Sequence, residues 1–302
     1  MNDPGREPSR ENRRAARPRP SALVLAFACV IGTAAAQAPA SVDRISFQVA
    51  DAFEPGAAVS GDLRIPASTR ERLPAVLILH SSPQFDGRGA FYEEALNAAG
   101  IATIEIDYLR GKGLPTSPRH NLPHAYETLA RLAAHPRIDP ARIGIMGFSW
   151  GGHLAVLTSS DELTRHYTQG RLRFAAHLGL YPICWMHVAS PGGAPPFFAP
   201  SIWERLTGRP VHILVGDRDD SDGPDGCQRF LAELPEQSRA QVSLTVYRDG
   251  TFAWDSRFGH TAYFAGGRQG KGGMVIVVSD PELAKRSRDF AVTFFRRAFE
   301  RE

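Results

Sequence analysis

An α/β fold, with a mostly parallel sheet of about eight strands and helices on both faces, follows from three features of this 302-residue sequence. Short apolar runs alternate with amphipathic stretches, the pattern of successive strand–helix units. Several of those runs are continuously apolar, as strands covered on both faces by helices must be. Gly147-Phe148-Ser149-Trp150-Gly151, which reads G-x-S-x-G, joins one such run to a helix-like segment.

Along the chain, Ile45–Val49 alternates apolar and polar residues with the strand period, and Val59–Ile65 forms a second strand. Glu54-Pro55-Gly56 between them is a turn signal, so the two are expected to pair antiparallel. Pro74–His80 is continuously apolar up to His80 and reads as a central strand. Phe91–Ala99 reads as an amphipathic helix closed by Gly100, and Ile101–Asp107 as the next buried strand. After the Gly/Pro-rich loop Gly111–Pro118, a helix from Leu122 to Ala134 puts Tyr126, Leu129 and Leu132 on one face and ends before Pro136. Arg142–Met146 is the strand before Ser149, and the helix after it is expected to run to Ser160. Phe174–Tyr181 and Pro210–Gly216 are further strands, separated by a loop rich in Pro, Gly and aromatics, and Gln228–Leu234 is a helix. Val242–Tyr247 is the last clear strand, and a helix from Pro281 to Phe299 docks through Phe290, Phe294 and Phe295. No internal repeat is present.

With 43% hydrophobic and 22% charged residues, the composition is that of a globular chain, and the length suits one α/β domain. The net charge of +3 owes much to Arg6, Arg10, Arg13, Arg14, Arg17 and Arg19, so the remainder gives no reason to expect a nucleic-acid partner. Those arginines precede an apolar run from Ala22 to Ile31 and then Ala34-Ala35-Ala36-Gln37, the layout of an export signal cleaved near Ala36. The run is too short for a permanent membrane span, so residues 1–36 are expected to be a signal peptide and 37–302 the α/β domain, periplasmic or secreted, with no stable membrane anchor. Arg13-Arg14 gives weak support to a twin-arginine route, and Cys29 lies inside the apolar run, a poor place for lipid attachment. Removal of the signal leaves Cys184 and Cys227, which in an oxidising compartment form either a disulfide or two separate buried thiols.

A strand turning sharply into a helix strains the turn residue, and the glycines flanking Ser149 give the backbones room to pass. The same geometry lifts the hydroxyl above the carboxyl ends of the strands and aims the helix N–H groups at an oxyanion forming there. Ser149 is therefore the expected nucleophile, against the plainer alternative of a solvated serine in a Gly-rich turn.

The strand order, Gly147-Phe148-Ser149-Trp150-Gly151-Gly152 and the later Gly216-Asp217-Arg218-Asp219-Asp220 together resemble the α/β-hydrolase fold, and within it the dienelactone hydrolase-like family, over nearly all of the chain after residue 36. Typical members carry cysteine as nucleophile; Ser149 here shifts the expectation towards a serine esterase. A serine needs a histidine to take its proton and a carboxylate to orient that histidine, in the chain order Ser, acid, His. The resemblance selects Asp219 as the acid, ahead of Asp220 and Asp217, whose alternative role is a solvated turn. The histidine that the family carries in segments similar to Gly250–Asp255 is replaced by Phe252. Chain order leaves His260, the only histidine after Asp219, as the base, with an ordinary surface histidine as its alternative.

The oxyanion hole is expected from the Trp150 backbone N–H and a second N–H from Ser81 or Ser82, where the fold usually has His-Gly. His80 is read as structural. His120, His124 and His153 match no ligand spacing, so neither metal nor cofactor is expected. Trp150, Tyr108, Trp185, Phe197 and Trp254 are candidate walls for an apolar or aromatic acyl group. These features point to an exported hydrolase of carboxylic esters or lactones, with a small-molecule substrate and an acyl-enzyme on Ser149. The alternatives are a serine peptidase of the prolyl-oligopeptidase type, which normally adds a propeller, and a non-catalytic binding protein, suggested by Phe252.

Overall fold

The computed structural model describes residues 41–49, 57–82, 85–109, 117–187 and 198–300. The expected signal peptide, the Glu54–Gly56 turn, most of the Gly111–Pro118 loop and Phe197 lie outside the described residues.

Strands β1 (Ser41–Val49) and β2 (Ala57–Ile65) pair antiparallel, with Phe47 opposite Val59, as the alternating pattern requires. They extend a sheet formed by β3 (Leu73–Leu79), β4 (Ala102–Asp107), β5 (Ile138–Phe148), β6 (Ala176–Leu180), β7 (Val211–Arg218) and β8 (Val242–Thr251). The order across the eight-stranded sheet is β1-β2-β4-β3-β5-β6-β7-β8, parallel from β4 to β8. β3 lies between β4 and β5, and all seven of its residues are buried. Its side chains alternate between two cores, Leu77 and Leu79 on one face, Val76 and Ile78 on the other.

Helices α1 (Arg88–Ala98), α2 (Pro118–Ala134), α3 (Trp150–Leu157), α4 (Asp161–Thr168), α5 (Gly226–Glu233), α6 (Glu236–Arg239) and α7 (Pro281–Glu300) complete the fold. The first core takes Leu129 of α2 and Leu154 of α3; the second takes Tyr92 of α1 and Leu283 and Phe295 of α7. Phe295 is fully buried, while Phe290 and Phe294 are partly buried against the same core.

Four elements differ from expectation. α2 begins at Pro118, where proline's missing N–H costs nothing at a helix start. The helix after Ser149 stops at Leu157; Ser160 accepts a hydrogen bond from the Leu163 N–H and caps a separate helix, α4. β5 extends through Asp139-Pro140 to Phe148. β8 is not the last strand: β9 (His260–Phe264) and β10 (Gly273–Val277) form an antiparallel hairpin between β8 and α7. Gly-rich sequence at 265–273 obscured that hairpin by reading as loop. No helix among the described residues is long and apolar enough to cross a membrane.

Candidate active site at the carboxyl edge of the sheet

Ser149 follows β5 and caps α3 with φ 50° and ψ −110°, a conformation that costs about 1–3 kcal/mol in a non-glycine residue. Its N–H donates to the Leu180 carbonyl (3.0 Å), and its carbonyl accepts the first intrahelical bond from His153 N–H (2.8 Å). The glycines beside it are sterically required. A Cβ on Gly147 would lie 2.3 Å from the Gly151 carbonyl carbon, and one on Gly151 would lie 2.2 Å from the Leu79 carbonyl oxygen. β3, β5 and α3 therefore meet at backbone contact, with Leu79 paired to Gly147 across the strands. Ser149 is 7% exposed, and its hydroxyl makes no hydrogen bond among the described residues.

Asp219 follows β7 and is 2% exposed. Its Oδ1 accepts from the backbone N–H groups of Ser221 (2.8 Å) and Asp222 (3.1 Å). Its Oδ2 is buried without a hydrogen-bond partner among the described residues, an acceptor awaiting a donor. Burial pushes the Asp219 carboxyl up to about 7, offset in part by those two N–H bonds. Asp222 is also raised by burial and then by Asp219, and its Oδ1 accepts from Trp185 N–H (2.9 Å). Asp220 is turned elsewhere and accepts from Ile276 N–H (3.2 Å), fastening β10 to this loop. Asp217 accepts from Asp249 N–H (2.7 Å) on the exposed side.

Phe252 is the residue after β8. Arg218 pairs with Thr251, so Asp219 and Phe252 are the next residues on two adjacent strands. Phe252 is 7% exposed and meets Tyr181 edge-on (ring centroids 5.4 Å) and Phe264 likewise (6.0 Å). His260 opens β9 opposite Val277, is exposed, and donates from Nδ1 to the carbonyl of Phe258 (3.3 Å). No hydrogen bond among the described residues joins it to Ser149 or Asp219. It is the first residue of a strand, and its exposure is that of a surface histidine.

Ser81 is buried and Ser82 half-buried beyond β3. His80 is buried, stacked on Tyr108 (4.4 Å), and donates from Nδ1 to the Ser81 carbonyl (2.7 Å); burial lowers its pKa, so it is neutral and shapes this turn. Tyr108 and Trp254 are fully buried; Tyr108 donates to the His80 carbonyl (2.6 Å) within the core, while Trp254 lines a cavity of about 390 Å³ with Arg88 and Asp255. Trp150 is 7% exposed and its indole donates to Asn121 (2.9 Å); Trp185 is half-buried. Cys184 and Cys227 are joined in a disulfide that ties the segment after β6 to α5. That bond engages both thiols beside Asp222, the one cluster of three residues of metal-ligating type among the described residues. Sequence reasoning missed a buried polar group of Arg88, Tyr181 and Asp255 against the ring of Phe148, because charged residues in a loop and at a helix start carry no sequence signal of burial.

No family model and no curated sequence matches the chain. Solved structures do. A protein described as a dienelactone hydrolase from Klebsiella pneumoniae aligns over 85% of this chain and 99% of its own, at 18% identity and a TM-score of 0.59. Esterase 2 of Thermogutta terrifontis, phosphoramylated by tabun, aligns over 85% and 94%, at 16% identity and 0.61. MGS-M1, an α/β-hydrolase enzyme from a Medee basin deep-sea metagenome library, aligns over 86% and 98%, at 14% identity and 0.60. At such identities the likeness speaks for architecture, and together with the strand order and the strained turn at Ser149 it makes this chain an α/β-hydrolase fold.

Proposed function

We propose that this protein is an exported serine hydrolase that cleaves carboxylic esters or lactones of small molecules through an acyl-enzyme on Ser149. The observation that carries the reading is the backbone of Ser149, strained at φ 50° between glycines that admit no side chain. Strain of that kind persists where the surrounding packing enforces it, and here it lifts the hydroxyl to the N-terminus of α3. The esterase and dienelactone hydrolase descriptions of the structural neighbours favour the same substrate class. The Cys184–Cys227 bond favours an oxidising compartment.

In this reading Asp219 is the acid, Trp150 and Ser81 or Ser82 supply the oxyanion donors, and His260, exposed at the start of β9, is the base. Serine labelling by a fluorophosphonate tests the nucleophile: wild type labels and Ser149→Ala does not, whereas equal labelling of both removes Ser149. His260→Ala tests the base, and unchanged ester turnover removes His260 from the mechanism. One observation favours a second reading, a hydrolase-fold binding protein: the position expected to carry the histidine holds Phe252, a buried ring packed edge-on against Tyr181. A folded wild type that is never labelled favours that reading.

A further inference from the structure

Arg88, the first residue of α1, has no part in the assignments above, yet it touches most of the site. It is 6% exposed. Burying a guanidinium is costly unless its donors are used and counter-charges lie close. Here Nε donates to Asp86 (2.8 Å), Nη2 to Ser81 Oγ (2.5 Å) and also to Asp86, and Nη1 to the Tyr181 hydroxyl (2.7 Å). Asp255 Oδ1 lies 3.9 Å from Nη1. The guanidinium also sits over the rings of Phe148 (5.4 Å) and Tyr181 (5.7 Å).

The network continues beyond the arginine. The Tyr181 hydroxyl donates to Asp255 Oδ1 (2.5 Å), and Asp255 Oδ2 accepts from Tyr92 (2.9 Å). Each partner adjoins one piece of the site. Ser81 belongs to the turn expected to supply an oxyanion donor. Phe148 precedes Ser149. Tyr181 follows Leu180, whose carbonyl holds the Ser149 N–H (3.0 Å). Asp255 closes the turn that starts at Phe252. Tyr181 itself sits at φ 37°, a conformation that a tyrosine keeps only when its surroundings over-determine it.

We infer that Arg88 is a positioning residue that holds the Ser81 turn, the Ser149 elbow and the Phe252–Asp255 turn in a single register, with Tyr181 and Asp255 as its relay. This rests on the reading of Ser149 as nucleophile. The planar fork is essential to the role, because three separate partners are engaged along its edges and a lysine ammonium reaches one of them. Loss of the brace lets the oxyanion donors drift from Ser149, and a misplacement of about 1 Å lowers turnover about 10²-fold.

The test compares wild type, Arg88→Met, Arg88→Lys, Tyr181→Phe and the Arg88→Met/Tyr181→Phe double variant, each well below its own melting temperature. p-Nitrophenyl ester turnover and fluorophosphonate labelling report on Ser149, and hydrogen exchange in peptides carrying Ser81-Ser82 and Trp254–Ser256 reports on the two turns. The expected result is a kcat about 10²-fold lower in Arg88→Met with KM within about twofold, a partial return in Arg88→Lys, and no further loss in the double variant. Wild-type kcat in Arg88→Met, or losses that simply add in the double variant, overturns the inference. If wild type neither turns over nor labels, the hydrolase reading fails, and exchange then decides the brace. Faster exchange at both turns in the variants supports it, and unchanged exchange overturns it. If Arg88→Met does not fold, Tyr181→Phe decides alone by the same exchange criterion.

Discussion

Phe252→His places an imidazole directly after β8, beside the strand end that leads to Asp219, whose Oδ2 has no donor among the described residues; the Ser149 hydroxyl likewise makes no hydrogen bond among them. The stability change is a balance of known terms. Burying a phenylalanine ring contributes about 1.5–3 kcal/mol, and its edge-on contacts with Tyr181 and Phe264 about 0.5–1.5 kcal/mol each. The imidazole keeps part of that apolar area, and its Nδ1–H bond to the Asp219 carboxylate returns about 1.5–3 kcal/mol. The variant is therefore expected to fold with a loss of a few kcal/mol at most. General-base catalysis typically contributes about 10²–10⁴-fold, so ester turnover is expected to rise by that order over wild type, abolished again in Ser149→Ala/Phe252→His. p-Nitrophenyl acetate hydrolysis followed across pH is the assay, and a new limb in kcat/KM near the histidine range marks the base. A folded Phe252→His with wild-type turnover, labelling and pH profile refutes the reading of position 252 as a seat for the base.

Three further outcomes follow from the geometry. Asp219 carries a folded-state pKa near 7 against an ordinary value of 3.8, so the folded state holds a proton that the unfolded chain has released between those values. That contribution to stability falls as pH rises from about 4 to 7, while His153 and His177, lowered to about 3 by burial, contribute in the opposite sense. The readout is therefore the difference between wild type and Asp219→Asn in thermal melts across that range: wild type is expected to lose ground to the variant as pH rises, and a constant difference contradicts the raised pKa. Gly151→Ala forces a Cβ to 2.2 Å from the Leu79 oxygen; it is expected to lower the melting temperature by several degrees and to suppress labelling of Ser149, and a variant as stable and reactive as wild type contradicts the packing of the elbow. Reduction of Cys184–Cys227 releases a cross-link of 43-residue separation and is expected to cost about 2–4 kcal/mol in urea denaturation.

Much of the fold was legible because its strands are buried on both faces. Leu73–Leu79 is apolar without interruption and Val211–Val215 is interrupted only by His212, and glycine or proline punctuates the segments between them. The seat of Ser149 was legible for a steric reason, since only glycine fits at 147 and 151. Lengths were less so: Ser160 lies on the expected path of one helix but caps the next, and a local side-chain hydrogen bond wins over continued periodicity. The β9–β10 hairpin escaped because its stability is tertiary, resting on Asp220 to Ile276 and on Gln269, whose N–H donates to Ser221 and whose side chain donates to Asp222. The Arg88 network escaped for the same reason, its members being far apart in sequence, Tyr92 and Asp255 by 163 residues.

The disulfide also bears on how the chain reaches this fold. β6 and β7 are parallel neighbours, and parallel neighbours come together only after a long connection has closed, which makes such sheets slow to form. Cys184 and Cys227 lie just beyond the carboxyl ends of these two strands, so oxidation locks that connection at the side where Asp219 and Asp222 must be buried. Chain produced in a reducing cytoplasm must close this loop unaided, with two thiols and two carboxyls exposed until it does. Recovery of folded protein is therefore expected to depend on the redox history of the preparation, through the order in which the sheet assembles.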